Sequence, residues 1–399
     1  MRSSPDKGTP AEVFAAFLAL GLTSFGGPIA HIGYFRRELV ERRKWIDETE
    51  FARVLALCQF LPGPASSQLG FSLGLLRAGW LGAFAAFAAF TLPSALLLFV
   101  FAMLVPHLAG GFGESAIHGL RLVAVAIVAQ GVLGMARALC PDAPRATIAA
   151  VATASILAVA HAWMQVLVVA LGAVIGLVAC RGAQPPAADT ALRLRYGVRL
   201  GSALLIVFAL LLLGLPLAAR ALGGIFAVVE AFYRAGALVF GGGHVVLPLL
   251  RESVVAPGWI SENDFLAGYG AAQAVPGPLF TLSAYLGARL PGAEGGVTGA
   301  CAALVSIFLP GFLLVSGTLP WWRSLGHSRA AARAVAGVNA AVVGLLAAAL
   351  YDPVWTSAIQ GPLDVAIVAI AFTLLVAWRA SPIVAVTWCV VAAIALGLL

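Results

Sequence analysis

Residues 37–64 read RELVERRKWIDETEFARVLALCQFLPGP, and residues 251–278 read RESVVAPGWISENDFLAGYGAAQAVPGP. A shift of 214 residues aligns the two stretches without a gap, and eleven of the 28 positions are then identical. Composition alone would give about two identities in such a comparison. The chain therefore contains an internal duplication.

The similarity extends in both directions from this stretch. Upstream, in a register of 215, the matched pairs are Phe17/Phe232, Gly21/Gly236, Phe25/Phe240, Gly26/Gly241 and Gly27/Gly242. Downstream, with small insertions, they are Gly82/Gly299, Pro93/Pro310 and Gly119/Gly337. We therefore divide the chain into a polar tail (1–10), a first repeat (11–180), a linker (181–224) and a second repeat (225–399). The linker is polar at first and then adds one apolar helix, Leu200–Leu217.

The composition places the chain in a membrane. Hydrophobic residues make up 61% and charged residues only 10% of it, and the mean hydropathy is +1.00. A soluble domain carries about 25% charged residues, and disorder needs low hydrophobicity. Counting apolar stretches long enough to cross a bilayer gives about 13 spans. The predicted fold is an all-α integral membrane protein of two homologous repeats, in which some helices are broken or re-entrant.

The helix in the linker bears on the orientation of the repeats. If each repeat has six spans, the second begins after an odd number of crossings and is inverted, as in many transporters. The placement of Lys and Arg favours a cytoplasmic N-terminus, except for the basic loop around Arg36–Lys44. A re-entrant Pro62-Gly63-Pro64 segment would return that loop to the cytoplasm and make the repeats parallel. We predict inverted repeats, and the parallel arrangement remains the alternative.

A glycine-rich motif interrupts an apolar stretch in each repeat. Its residues are Phe25, Gly26, Gly27, Pro28 and His31 in the first repeat and Phe240, Gly241, Gly242, Gly243 and His244 in the second. Glycine pairs break a helix or admit close approach of another backbone or a ligand. Non-helical backbone at membrane depth persists only inside protein or beside a wet cavity. We predict that these glycines and histidines contribute to a substrate site, and that the histidines can couple transport to protons.

A second motif, Gln-x-x-Pro-Gly-Pro, also occurs in both repeats. It comprises Gln59, Pro62, Gly63 and Pro64, and again Gln273, Pro276, Gly277 and Pro278. Proline ends one helix and suits the first turn of the next. The new half-helix would begin with Ser66 and Ser67 in the first repeat and be followed by Thr281 in the second. Its free N–H groups and positive dipole end predict an anion site near the midplane.

Charged residues near these motifs are candidates for counter-ions or gates. They are Arg37, Glu38, Glu230, Arg234, Arg251 and Glu252. Glu230 and Arg234 lie four residues apart and can pair on one helix face. A doubly charged anion needs donors or cations before it can enter hydrocarbon.

Several functions lack support in the sequence. There is no ATP-binding GxxxxGK[ST] motif and no HExxH zinc motif, and the five cysteines are not at metal-ligand spacing. We expect no metal, no cofactor and no enzymatic activity. We also expect no nucleic-acid partner, because no basic stretch is interleaved with aromatic residues. A membrane enzyme acting on a lipid phosphate is the alternative from another class.

The paired motifs resemble the chromate ion transporter family in its long, two-domain form. The resemblance covers nearly the whole chain and rests on Gly26, Gly27, Pro28, Gln59 and Pro62–Pro64 with their second-repeat partners. It implies proton-driven export of chromate, an oxyanion shaped like sulfate, across the inner membrane, with resistance to chromate. One departure is that Pro28 is matched by Gly243. A transporter of the same fold for sulfate or another oxyanion is the nearest alternative, and a homodimer is left open.

Overall fold

The computed structural model describes residues 8–108, 110–159, 162–183, 196–240, 243–321 and 328–398. Every regular element in these ranges is helical. The main helices of the first part are α1 (Pro10–Thr23), α2 (Gly27–Phe35), α3 (Glu48–Phe60), α4 (Ala65–Leu104), α5 (Gly111–Leu139), α6 (Ala143–Ala158), α7 (Ala162–Ala179) and α8 (Val198–Leu222). Those of the second part are α9 (Gly224–Ala237), α10 (Val246–Val254), α11 (Glu262–Ala274), α12 (Leu282–Ala288), α13 (Gly296–Thr318), α14 (Arg329–Ala349), α15 (Pro362–Val376) and α16 (Pro382–Gly397).

The order of helices in the first repeat recurs in the second. Helices α1, α2 and α3 correspond to α9, α10 and α11, and α5, α6 and α7 correspond to α14, α15 and α16. Helix α4 leaves helical geometry at Ala78 and Gly79, and its two parts correspond to the separate helices α12 and α13. Helix α8 has no counterpart, in agreement with the single helix predicted in the linker.

Local sequence explains where the helices at the Pro-Gly-Pro motif begin and end. Asp47 accepts a hydrogen bond from the Glu50 N–H at 2.8 Å before α3, and Ser261 accepts one from the Asp264 N–H at 3.1 Å before α11. A side chain that accepts from the first turn satisfies a donor that the helix leaves free. Both helices end just before the motif, and α4 begins directly after it. The predicted helix breaks are confirmed.

A π-helical turn, Arg36–Arg42, continues α2. The corresponding stretch of the second repeat, α10, is an ordinary α-helix. A π-turn holds one additional residue inside a helix, which accounts for the change of register from 215 to 214 across this segment. The ion pairs on either side of this change of register correspond: Arg36 binds Glu48 at 2.7 Å, and Arg251 binds Glu262 at 2.9 Å. Arg36, rather than Arg37, is therefore the structural equivalent of Arg251.

The repeats are interleaved rather than placed side by side. Helix α5 of the first repeat packs on α15 and α16, and α14 of the second packs on α6 and α7. A Cβ at Gly119 of α5 would lie 2.6 Å from the Val390 Cα, and one at Gly337 of α14 would meet the Gly172 carbonyl oxygen. Glycine at both equivalent positions permits this close helix contact.

Length and composition mark the chain as a membrane protein that crosses the bilayer several times. Five helical segments are long and apolar enough to span: Ala65–Leu108, Gly111–Leu139, Val198–Leu222, Gly296–Trp321 and Arg329–Ala358. Six shorter apolar helices accompany them in the described residues. The predicted number of about 13 spans stays a prediction, because several helices are only half a bilayer long. The most apolar window of α8 has no buried residues, which suits a helix facing lipid.

Candidate functional site

The loop between α11 and α12 reaches the helix break of the first repeat. The Gly277 N–H donates to the Ser24 carbonyl at 3.0 Å. Gly277 has a φ of 110°, and a Cβ there would lie 2.7 Å from the Ser94 Oγ and 3.3 Å from the Phe90 carbonyl oxygen. A positive φ without space for a side chain requires glycine. We define the first junction as Ser24, His31, Ser66, Ser94 and Gly277.

The loop between α3 and α4 makes the equivalent contact with the second repeat. The Gly63 N–H donates to the Val239 carbonyl at 2.7 Å. Gly63 has a φ of 121°, and a Cβ there would lie 3.1 Å from the Gly311 Cα. The Gln68 side chain donates to the carbonyls of Pro62 and Gly311 at 2.9 and 3.0 Å. We define the second junction as Gly63, Gln68, Val239 and Gly311.

The two junctions use corresponding positions of the two repeats. Three pairs of aligned positions are involved. Ser24 and Val239 are 215 residues apart, Gly63 and Gly277 are 214 apart, and Ser94 and Gly311 are 217 apart, as are Pro93 and Pro310. Each repeat thus presents its glycine break to the Pro-Gly-Pro loop of the other repeat. The contact between the repeats is therefore reciprocal.

His31 is completely buried and connects the glycine break to the half-helix. Its Nε2 lies 3.2 Å from the Ser24 carbonyl oxygen, and its Nδ1 lies 3.5 Å from the Ser66 Oγ. A carbonyl only accepts, so Nε2 carries the proton and the Nδ1 lone pair faces the hydroxyl. The ring of Phe90 packs edge-on against the imidazole at 5.2 Å. His31 therefore has one nitrogen committed to the backbone and one available at the half-helix.

The start of α4 is the polar half-helix end that the sequence predicted. Pro64 precedes it, and Ser66, Ser67 and Gln68 form its first turn. All three side chains are buried, and neither the Ser67 Oγ nor the Gln68 Oε1 has a hydrogen-bond partner in the described residues. The N–H groups of a first helical turn have no partner within the helix. Hydroxyl and amide donors are therefore concentrated in a buried place.

The corresponding half-helix of the second repeat uses its hydroxyls internally. Thr281 donates to the Pro278 carbonyl at 2.7 Å, and Ser283 donates to the Phe280 carbonyl at 2.8 Å. The turn that holds His244, Gly243–Val245, packs against the turn Leu279–Thr281, and the Nδ1 of His244 lies 2.8 Å from the Tyr269 hydroxyl. The ring of His244 lies against Gly131 of α5, where a Cβ would approach the ring to 3.1 Å.

The remaining motif residues differ in exposure. Gln59 is exposed on α3, whereas the matched Gln273 is buried and its Nε2 has no partner in the described part of the chain. Gly26 and Gly27 adopt φ values of 103° and 74°, and Pro28 belongs to the first turn of α2. Gly243 is buried and begins a short 3-10 turn. Gly241 and Gly242 lie outside the described residues.

The predicted pair Glu230 and Arg234 is formed, with 2.7 Å between Oε1 and Nε. Arg234 also lines a cavity of about 60 Å³ between α7, α9, α10 and α14. Gln165, Glu252 and Ser253 contribute the other polar groups of its wall. Along the chain, the lining residues of the second repeat lie on both sides of its glycine-rich motif: Arg234, Ala235 and Leu238 before it, and Leu249, Glu252 and Ser253 after it.

The charged residues beside the first glycine motif are engaged locally. Arg37 is exposed, and Glu38 binds Arg43 at 2.6 Å and Arg42 at 3.1 Å on its own π-helical segment. Partial burial acts to raise the pKa of Glu38, but the hydrogen bonds from Arg43 and Arg42 outweigh it and hold the pKa below its ordinary value. Motif matching missed Ser24 and Thr91, because these positions are not identical in the two repeats. It missed Arg36 because the ungapped alignment paired Arg251 with Arg37 instead.

The comparisons with known proteins agree with this architecture. The family profile described as chromate transporter matches residues 11–177 and again 226–398. The chain is 31% identical to a probable chromate transport protein of Synechococcus elongatus over 84% of its own length and 82% of the relative's. It is 28% identical to a chromate transport protein of Pseudomonas aeruginosa, over 92% and 87% of the two lengths. A chromate transport protein of Cupriavidus metallidurans is 27% identical over 86% and 82%.

No solved structure matches the chain. The family profile nevertheless covers most of the sequence, and it covers both halves that contribute to the junctions. The chain therefore belongs to the chromate transporter family.

Proposed function

We propose that the protein is a secondary transporter that exports chromate across the inner membrane of the cell and thereby confers resistance to chromate. The reciprocal contact of the two junctions is the observation that supports it. Each junction joins a glycine break of one repeat to a half-helix loop of the other, at a buried position. Such broken helices at a repeat interface are typical of substrate sites in secondary transporters. The relatives named as transport proteins support the same function and favour transport over catalysis.

The proposed mechanism is alternating access. The N–H groups and hydroxyls at the half-helix ends bind the oxyanion, and movement of the repeats exposes it to either side. Arg234 and the cavity it lines provide a mouth where the anion meets a positive charge before it reaches the buried donors. His31 and His244 are the candidates for coupling to protons, since imidazole changes charge near neutral pH.

Uptake into proteoliposomes tests this function. Purified protein in inverted orientation should accumulate labelled chromate when a pH gradient is imposed, at a rate well above that of protein-free liposomes. Sulfate as a competitor separates the two oxyanions: equal inhibition by equal concentrations would indicate a general oxyanion transporter. No accumulation above protein-free liposomes, or chemical change of a lipid phosphate, would contradict the proposal.

We also propose that the repeats have inverted topology, because α8 adds one crossing between them. Single cysteines in residues 41–47 lie in the segment that leads into α3, and single cysteines in residues 261–264 lie at the start of the corresponding helix α11. Labelling with a membrane-impermeant maleimide should modify one of these segments from each side of the membrane. Labelling of both segments from one side would indicate parallel repeats instead.

A further inference from the structure

The two junctions share their backbone contacts but differ in chemistry. Five polar side chains of the first repeat stand where the second repeat has apolar ones: Ser24/Val239, His31/Val246, Ser66/Phe280, Gln68/Leu282 and Thr91/Phe308. The alignment at these positions is supported by packing. A Cβ at Gly21 would meet the Phe90 backbone, and one at the matched Gly236 would meet the Ile307 backbone. The difference is therefore one of side chains at equivalent places.

The first repeat leaves several of these polar atoms without a partner. Among the described residues, the Ser24 Oγ, Ser67 Oγ and Thr91 Oγ1 have no hydrogen bond, and their residues are at most 4% exposed. Buried polar groups are nearly always paired in folded proteins. Ser67 lies in the first turn of the half-helix, His31 links Ser24 to Ser66 of the same turn, and Thr91 follows Phe90, whose ring packs on His31. These unpaired hydroxyls therefore indicate a place that a polar ligand fills.

The second repeat has closed the corresponding space. Thr281 and Ser283 donate to their own backbone. Phe280 packs against Phe308 with ring centroids 5.8 Å apart, and Phe308 stacks on Phe312 at 5.9 Å. Phenyl rings offer no strong hydrogen-bond donor to an oxyanion. The half-helix end of the second repeat is thus lined by apolar surface at the positions where the first repeat has donors.

We infer that each chain holds one oxyanion site, at the half-helix end of the first repeat, and that Ser24, Ser67 and Thr91 contribute hydroxyls to it. The ligand class is a doubly charged tetrahedral oxyanion of the chromate or sulfate type. The donors are neutral hydroxyls and first-turn N–H groups, and His31 is the titratable member of the site. The second junction keeps the backbone contact and serves as its structural counterpart. This inference rests on the proposed function and specifies where in the chain the transported anion binds.

Equilibrium binding of labelled chromate to the purified full-length protein tests the inference. Wild-type protein should bind one anion per chain. Ser67→Ala and Ser24→Ala should each weaken binding by about tenfold, because each removes one hydrogen bond to a charged group. Ser67→Thr keeps the hydroxyl and should restore most of the affinity. Ser283→Ala is the matched control: it removes an equally buried serine hydroxyl from the second half-helix and should leave the affinity unchanged.

The outcomes separate this inference from the proposed function. Two anions per chain, or equal losses for Ser67→Ala and Ser283→Ala, would overturn the single site while leaving chromate transport intact. A wild-type protein that neither binds nor transports chromate would instead remove the proposed function. Gel filtration and thermal unfolding of each variant show whether a loss of binding reflects misfolding. If Ser67→Ala fails to fold, the comparison of Ser24→Ala with Ser283→Ala decides the matter.

Discussion

The first and second junctions show how a duplicated chain can keep one property and lose another. Both retain a glycine with positive φ whose N–H binds the carbonyl of the opposite repeat, at 3.0 Å for Gly277 and 2.7 Å for Gly63. Around that common contact, the first repeat has Ser24, His31 and Ser66 at the positions where the second repeat has Val239, Val246 and Phe280. The shared backbone is what joins the repeats, and the side chains are free to specialise.

The largest effect is expected where the junctions are alike. Gly277→Ala and Gly63→Ala each place a Cβ in strained backbone and against the opposite repeat. Both should lower chromate uptake by about tenfold or more, since the backbone strain and the clash add. Uptake per folded protein in proteoliposomes is the measurement.

The control for these glycines is Gly33→Ala in α2, where a Cβ meets no atom within 4 Å. Its uptake should equal that of wild type. A large loss for Gly277→Ala with none for Gly63→Ala would mean that only one junction matters for transport, and the shared backbone would have no common role.

An intermediate effect should distinguish the two histidines. His31 holds Ser24 and faces Ser66, whereas His244 binds Tyr269 beside α5. His31→Gln should reduce uptake driven by a pH gradient by about tenfold, and His244→Gln by about twofold, since only the first loses contacts within the proposed site. Equal reductions in both variants would argue for two functional junctions.

The smallest effect concerns the matched ion pairs at the helix ends. The side chains of Arg36 and Glu48 are 50% and 56% exposed, whereas those of Arg251 and Glu262 are 34% and 21% exposed. Exposed pairs add little to stability, and removing one partner of a more buried pair leaves a charge unpaired. Arg251→Gln should lower the unfolding temperature in detergent by about 2–4 °C, and Arg36→Gln should leave it unchanged. A larger decrease in unfolding temperature for Arg36→Gln than for Arg251→Gln would show that burial does not determine how much each ion pair contributes to stability.

The sequence predicted those features that depend on local chemistry. Proline placed the helix breaks before Pro62 and Pro276, and spacing placed Arg234 beside Glu230. It did not predict which loop meets which glycine break, because that contact depends on the packing of helices far apart in the chain. Ser24 and Thr91, which we propose as site residues, were missed for a different reason. A comparison of the two repeats finds identical residues, whereas Ser24 and Thr91 stand out because the second repeat has apolar residues at the aligned positions.

The neighbouring arginines illustrate a further limit. Sequence comparison pairs Arg37 with Arg251 because an ungapped alignment has no means of describing an additional residue inside a helix. The π-turn Arg36–Arg42 absorbs that residue, so that Arg36 reaches Glu48. Only the geometry of the backbone shows where the register changes.

The interleaving of the long helices has a consequence for how such a chain could arise. Helix α5 is covered by α15 and α16, and its counterpart α14 is covered by α6 and α7, so each half covers this helix with the last two helices of the other half. A gene that encoded a single half would yield a polypeptide that is complete only when two copies exchange these faces. Fusion of two such genes would place both sets of helix contacts within one chain. The side chains of each half could then diverge as long as the contacts between the halves were kept.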